Sequence, residues 1–381
     1  MSTIGTWTQK VAQNWLVLTL AGASSAFYLG LDSFLGELPI LLLTLVGGVV
    51  ADRYDRKRLL LSSQFVQMGS AFVLATLVYF DLVRIWHVLA LSVVTGLAQA
   101  FGGPAYQSLL PALVAKPHVP NAIAFNAIQF NLARVIGPLV AGAALTAFGM
   151  VVCFGLNGIS FLAVIAAILS LHIRHTAPTT NTHLREELRG GFAYMRANPS
   201  LIALALLGFT TTFLGSPILT FLPLFAREVL HGGIAEYTQL MTFAGAGAVT
   251  GALGVAWRGA SPRMGLATLV MQMLYGLSVA TFAVTHSFWL NGILIFCAGI
   301  SMVTVSASLS SLVQLNAPNE LRGRVMSIYM VAFRGGMPLG SFAAGWLATA
   351  TSAPFVLLVN GLLLSLVAIF FLVKGHSVSR L

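Results

Sequence analysis

The stretch APFVLLVNGLLLSLVAIFFLV, residues 353–373, continues for twenty-one residues without a charged side chain. About 20 helical residues cross the ~30 Å hydrocarbon core of a bilayer, so a run of this length and character fits a membrane span. MVVCFGLNGISFLAVIAAILSL, residues 150–171, has the same character. In hydrocarbon every backbone N–H and C=O must be satisfied internally, which leaves helices or closed barrels, and the alternation of barrel strands is not seen. The composition follows from many such runs: 57% of the chain is hydrophobic and 8% is charged, against roughly 25% charged in a soluble domain. The expected fold class is an all-α membrane protein.

Apolar runs between turn residues predict twelve transmembrane helices, at about 3–22, 26–51, 58–80, 86–113, 120–146, 150–171, 199–226, 236–257, 264–284, 288–315, 323–348 and 353–373. With a cytoplasmic N-terminus, odd spans run outward and even spans inward. Short cytoplasmic loops collect Lys and Arg, which tests that choice. Arg53, Arg56, Lys57, Arg58, Lys116, Arg174, Arg185, Arg189, Arg196, Arg258, Arg263, Arg322, Arg324, Lys374 and Arg380 fall at the inner loops, the tail or the span ends beside them. Those fifteen face only Arg84 and Arg227 outside, and Lys10, Arg134 and Arg334 inside spans complete the twenty. The net charge of +10 thus has a use in orientation. No basic groove with interleaved aromatics points to nucleic acid. The N-terminus MSTIGTWTQKV lacks the basic region of a cleavable signal, so the first apolar segment is retained.

The expected organisation is an N-terminal six-helix bundle at 1–171, a cytoplasmic linker at 172–198 and a C-terminal six-helix bundle at 199–381. In the linker, Leu184, Leu188 and Met195 recur near helical spacing while Arg185, Glu186, Glu187, Arg189 and Arg196 take other faces. That pattern fits an interfacial helix or a solvated one. An internal repeat supports the halving. FNLARVIGPLVAG and MVAFRGGMPLGSF superimpose at an offset of 200 residues, laying Arg134 on Arg334 and Pro138 on Pro338. Two six-helix halves of parallel topology are how many secondary transporters are built.

In GGVVADRYDRKRLLL, Gly47 to Leu61, six charged residues crowd into a window of seven. Span two runs inward, so Asp52 lies at the negative end of a helix dipole and must be held by something else. Arg53, Arg56 and Arg58 can serve, as can the free N–H groups where span eleven starts, near Leu321 to Gly323. Lys57 and Arg58 read as topology anchors. Gly48, Ala51, Asp52, Arg53, Arg56 and Lys57 resemble the loop between helices two and three of the major facilitator superfamily, Gly-x-x-x-Asp-Arg-x-Gly-Arg-Arg/Lys, with Asp55 in place of the second glycine. With NLARVIGPLVAG and PNELRGRVMSIYMV, the variant resembles the enterobactin-exporter and macrolide-efflux-like branch. The resemblance implies alternating access and a gating latch made by Gly48, Asp52, Arg53 and Arg56 with Glu320 and Arg322. It also implies proton-driven export and a fuller first helix than the one beginning at Met1, so the first helix is expected to be truncated by a late start.

Lys10, Asp32, Glu37, Arg134 and Arg334 lie inside spans, where a Lys, Arg or Asp costs about 2.5–3.5 kcal/mol at a helix centre. They form the expected proton and substrate path. At about 1.5 Å per residue, Glu37 lies ~22 Å from Asp52, Arg134 ~20 Å from Asn121 and Arg334 ~18 Å from Arg322. Similar depth makes Glu37 the expected proton carrier, coupled to Arg334 or Arg134. Asp32 falls near the outer boundary, where hydration suffices, and Lys10 shares a polar, lumen-facing stripe with Gln9, Gln13 and Asn14. Gly137, Pro138, Gly142 and Pro338 are small or kinking residues that let helices approach closely.

Cys153 and Cys297 have no metal or redox spacing and read as packing residues. There is no HExxH, GxSxG or phosphate-loop pattern, so no catalytic residue, metal or cofactor is expected. The sequence reads as a monomeric secondary transporter of the inner membrane, with both termini cytoplasmic, a small-molecule substrate and the proton as coupling ion. A drug or siderophore-like export substrate is what the resemblance implies. The alternatives are an importer or lipid-moving permease of the same fold, and a polytopic membrane enzyme.

Overall fold

The computed structural model describes residues 2–171, 184–259 and 263–374, and every regular element among them is helical. The chain divides into two compact units, Met1–Thr179 with Ala226–Thr242, and Thr180–Phe225 with Phe243–Leu381.

The first unit contains α1 (Ser2–Ala21), α2 (Ser25–Arg53), α3 (Arg56–Tyr79), α4 (Ile85–Leu109), α5 (Val119–Phe148) and α6 (Met150–Ser170). Gly22, at φ +52, turns the chain from α1 into α2. α2 packs on α4, α3 on α4 and α6, and α1 on α5 and α6. Glycines let α2 and α4 touch backbone to backbone: a Cβ on Gly96 would sit 2.3 Å from the Gly36 carbonyl oxygen, and one on Gly47 would sit 2.2 Å from that of Ala100. The two helices run parallel, so Asp32 and Ser92 face each other one turn before the Gly36–Gly96 contact.

The second unit contains α7 (Leu184–Ala197), α8 (Pro199–Gly215), α9 (Pro217–Leu224), the later part of α10 (Ile234–Arg258), α11 (Met264–Val284), α12 (Phe288–Asn316), α13 (Arg322–Ala350) and α14 (Ala353–Lys374). The span expected at 199–226 is divided between α8 and α9, followed by a π turn at Phe225–Val229. Pro217 has no N–H to continue the ladder. In the linker helix α7, Met195 is buried in an apolar cluster with Leu204, Leu309, Val325 and Tyr329. Linker residues 172–183, and the side chains of Leu184, Arg185, Glu186, Glu187, Leu188 and Arg189, lie outside the described residues.

Small hydroxyls tie the α8–α9 segment to α13 in three rungs. Thr212 Oγ1 donates to the Phe333 carbonyl at 2.7 Å, Ser216 Oγ to that of Met337 at 3.3 Å, and Thr220 and Ser341 hydroxyls meet at 3.1 Å. In the first unit, Thr8 Oγ1 donates to the Gly137 carbonyl at 3.2 Å. Gly137 and Met337 are 200 residues apart, each just before the proline inside its helix. The repeat therefore presents the same carbonyl to a hydroxyl of the segment packed on it. Without water nearby, such a hydroxyl finds its partner in backbone carbonyls.

Among the described residues, ten helical stretches are long and apolar enough to cross a membrane, against the twelve spans expected. Ser2–Thr44 counts as one stretch, and α13, which carries Arg322, Arg324 and Arg334, is not among the ten. Large apolar side chains such as Phe125, Phe148, Leu253, Trp257, Leu366 and Val373 are exposed on the helix surfaces. A surface of that kind needs hydrocarbon as its solvent.

Candidate functional site

Gln9, Lys10, Gln13 and Asn14 fall on one face of α1, because residues four apart stack on a helix. The sequence predicts a stripe open to a lumen, whereas three of the four side chains bind neighbouring elements. Gln9 Oε1 accepts from Asn157 Nδ2 of α6 at 2.6 Å, and Asn14 Nδ2 donates to the Tyr237 hydroxyl at 3.3 Å. Trp15 stacks on Tyr237 with ring centroids 5.9 Å apart. Gln13 Nε2 donates to both Asp32 oxygens, at 3.1 and 2.9 Å, and to Ser92 Oγ of α4 at 2.9 Å. Ser92 Oγ in turn donates to Asp32 Oδ1 at 2.5 Å.

Asp32 corrects the expectation of a hydrated boundary residue: it is 7% exposed. Its depth along α2 is readable from the sequence, but the contact with α1 and α4 that encloses it is not. An amide and a hydroxyl converge on this carboxyl group, contacts that suit its acceptor oxygens. Lys10 is close enough for its charge to act on Asp32. The Lys10 ammonium also lies 5.9 Å from the centroid of the Trp7 ring, and the Arg134 guanidinium lies 5.6 Å from it. Two cations share one indole, a favourable arrangement for each.

Glu37 is half-buried on α2. Arg334 is exposed on α13, and among the described residues no hydrogen bond or ion pair to it is seen. A Cβ on Gly137 would lie 2.3 Å from Trp7 Cβ, and one on Gly142 would lie 2.6 Å from Thr238 Oγ1. Pro138 and Pro338 are buried inside α5 and α13. Sequence reasoning missed Ser92, Trp7, Asn157 and Tyr237 as partners of these groups. The i, i+4 polar stripe of α1 was the available signal, and it gave one side of each contact.

The charged turn ties helix ends together. Asp55 caps α3, accepting from the N–H groups of Lys57 at 2.8 Å and Arg58 at 3.2 Å. Arg56 Nε donates to the Ala51 carbonyl at 3.2 Å, near the end of α2. Lys57 Nζ donates to the carbonyls of Leu169 at 3.0 Å and Leu171 at 2.6 Å, at the end of α6. Lys57, expected as a topology anchor, is also a helix cap. Arg58 pairs with Asp55 at 3.7 Å. Arg53, Glu320 and Arg322 are exposed, with Arg322 Nε on the Gln314 carbonyl at 3.1 Å. A Cβ on Gly48 would meet nothing within 4 Å. The Asp52 side chain lies outside the described residues.

Residues 1–377 match the family described as transmembrane secretion effector. The staphyloferrin A transporter of Staphylococcus aureus is 27% identical over 348 residues, covering 89% of this chain and 84% of its own length. The enterobactin exporter EntS of Citrobacter koseri is 27% identical over 375 residues, covering 96% and 84%. Macrolide efflux protein A of Streptococcus pyogenes is 22% identical over 353 residues, covering 91% and 86%. The fold is shared with a bacterial homologue of the human lysosomal transporter Spinster, at TM-score 0.72 and 14% identity over 99% of this chain and 96% of that one. It is shared with the peptide transporter POT at TM-score 0.76 and 14% identity over 100% and 93%. The apolar helices, the repeated helix packing and a family match along nearly the whole length lead to one assignment: this multi-pass membrane protein belongs to the transmembrane secretion effector family of the major facilitator superfamily, whose members are transporters rather than enzymes.

Proposed function

We propose that this protein is a proton-coupled secondary transporter of the bacterial inner membrane that exports a small amphipathic compound, siderophore-like or macrolide-like, by alternating access. The observation that carries the reading is similarity over 89% or more of the chain to proteins named as a siderophore transporter, a siderophore exporter and a macrolide efflux protein. Ionisable residues kept inside spans, among them Asp32 and Lys10, support an ion-coupled path. The Lys and Arg distribution supports cytoplasmic termini, and the reading takes the protein as a monomer of six plus six spans.

In this reading Asp52, with Gly48, Arg53 and Arg56, latches onto the segment of Glu320 and Arg322 when the protein faces outward. Charge-assisted contacts of this kind are worth about 1.5–3 kcal/mol each. Asp52→Asn is expected to shift the population toward inward-open, read as greater labelling of single cysteines from the inner side. An unchanged labelling pattern counts against the latch.

Transport is tested in inverted membrane vesicles carrying the full chain, with a panel of catecholate siderophores, carboxylate siderophores and macrolides. Export appears as accumulation inside energised vesicles, abolished by a protonophore. Accumulation that survives the protonophore removes the proton from the reading. Substrate movement in the opposite direction, or movement of lipid alone, selects the importer or lipid permease.

A further inference from the structure

We propose that Asp32 is the proton-binding carboxylate of the first unit, and that Gln13 passes its charge state along α1 to Tyr237. The inference rests on the proton-coupled reading above and deepens it by naming the site. It replaces Glu37, the carrier expected from depth alone.

The hydrogen-bond directions around Asp32 carry the argument. One Gln13 Nε2 hydrogen serves the carboxylate, with Oδ1 at 3.1 Å and Oδ2 at 2.9 Å, and the other serves Ser92 Oγ at 2.9 Å. The Ser92 hydrogen then points to Oδ1, at 2.5 Å. In this arrangement every donor of the closed ring ends on Asp32, as suits a carboxylate that accepts throughout. Adding a proton to Oδ1 sets one O–H against another. Ser92 must then turn its hydrogen away, toward a carbonyl of its own helix one turn earlier, and accept from Asp32 instead. The cluster therefore has two discrete arrangements, and one proton selects between them. The proton comes from water on one side and returns to water on the other, with no other bond made or broken.

Few other charges face this group. α1 presents Lys10, whose charge reaches Asp32. α4 presents Ser92, and its next ionisable side chain, His87, accepts the Arg84 N–H at 3.0 Å. α3 carries Arg56, Lys57 and Arg58 in its first turn, at the end joined to the close of α2. On α2 itself, Glu37 is half-buried about one and a half turns after Asp32, and among the described residues no hydrogen bond to it is seen. Along the same helix as Gln13, Asn14 and Trp15 hold Tyr237 by a hydrogen bond of 3.3 Å and a stacked ring. Tyr237 is fully buried and lies in Ala226–Thr242, the segment grouped with this unit. Loosening Gln13 from Asp32 frees α1 to shift against that segment.

Infrared difference spectroscopy of the full chain in lipid, titrated with acid and without substrate, reads this directly. Wild type and Glu37→Gln are expected to develop the same buried carboxylic-acid carbonyl band as pH falls, and Asp32→Asn is expected to lack it. In Ser92→Ala, which deletes one donor to the carboxylate, the band appears about one pH unit or more higher. A purely structural Asp32 would change stability in these variants without moving any titration. Should Asp32→Asn fail to fold, the Ser92→Ala shift and the Glu37→Gln comparison still decide. A wild type without the band, a band that persists in folded Asp32→Asn, its loss in Glu37→Gln, or an unmoved midpoint in Ser92→Ala overturns the proposal. None of those results touches proton-driven flux, which the vesicle experiment measures separately.

Discussion

Lys57 reaches from the first turn of α3 to the last carbonyls of α6, 112 residues away along the chain. Those carbonyls have no intrahelical partner, and the end of a helix carries partial negative charge, so a cation there is stabilising twice over. Replacing Lys57 by Gln removes the charge and keeps most of the length. It should cost about 1 kcal/mol, seen as a lower unfolding temperature in detergent, with Lys57→Arg close to wild type. Topology should not change, because fourteen of the fifteen cations that the sequence assigns to the inner side remain. Equal unfolding temperatures for Lys57→Gln and wild type would leave Lys57 with a topological role alone. Asp55 stood in the sequence only as the replacement for the motif's second glycine, although its capping partners are its near neighbours. The Lys57 partners were not legible, since nothing local in the sequence points to α6.

Gly47 and Gly48 are adjacent on α2, yet they meet different surroundings. A Cβ on Gly47 would lie 2.2 Å from the Ala100 carbonyl oxygen, a backbone atom that moves only if α4 moves. A Cβ on Gly48 would meet nothing within 4 Å. Gly47→Ala should therefore destabilise by about 1–3 kcal/mol through overpacking. Gly48→Ala should be neutral or stabilising by up to about 1 kcal/mol, since alanine favours the helix. Unfolding temperatures of the two variants check this, and the reverse ranking would refute the assigned α2–α4 contact. The resemblance singles out Gly48 from its place in a pattern. Packing singles out its neighbour, because a rotation of about 100° per residue decides which glycine faces the next helix.

Across the whole chain, the segment Ala226–Thr242 groups with the first unit although it follows α9 of the second. Gly142 and Thr238 approach closely, since a Cβ on Gly142 would lie 3.1 Å from Thr238 Cβ. Disulfide Cβ atoms are usually about 3.5–4.5 Å apart, so cysteines at 142 and 238 should cross-link after a small relaxation. With Cys153 and Cys297 replaced by alanine and a protease site inserted within 172–183, oxidation should keep the two fragments together on a denaturing gel. Fragments that separate under oxidant would show that the segment does not rest on α5. The sequence by itself determined the all-helical membrane class, most of the helix positions and the superfamily, because fitness for hydrocarbon is a property of each segment alone. Its depth count was one-dimensional, giving height along a helix and no direction around it. Asp32 and Glu37 differ by five residues, or about 140° of rotation, and only the tertiary structure decided which of them meets α1 and α4. Gln13 and Ser92 are 79 residues apart, and Asp32 and Ser92 are 60 apart, so their ring exists only where glycine contacts fix the rotation of α2 against α4.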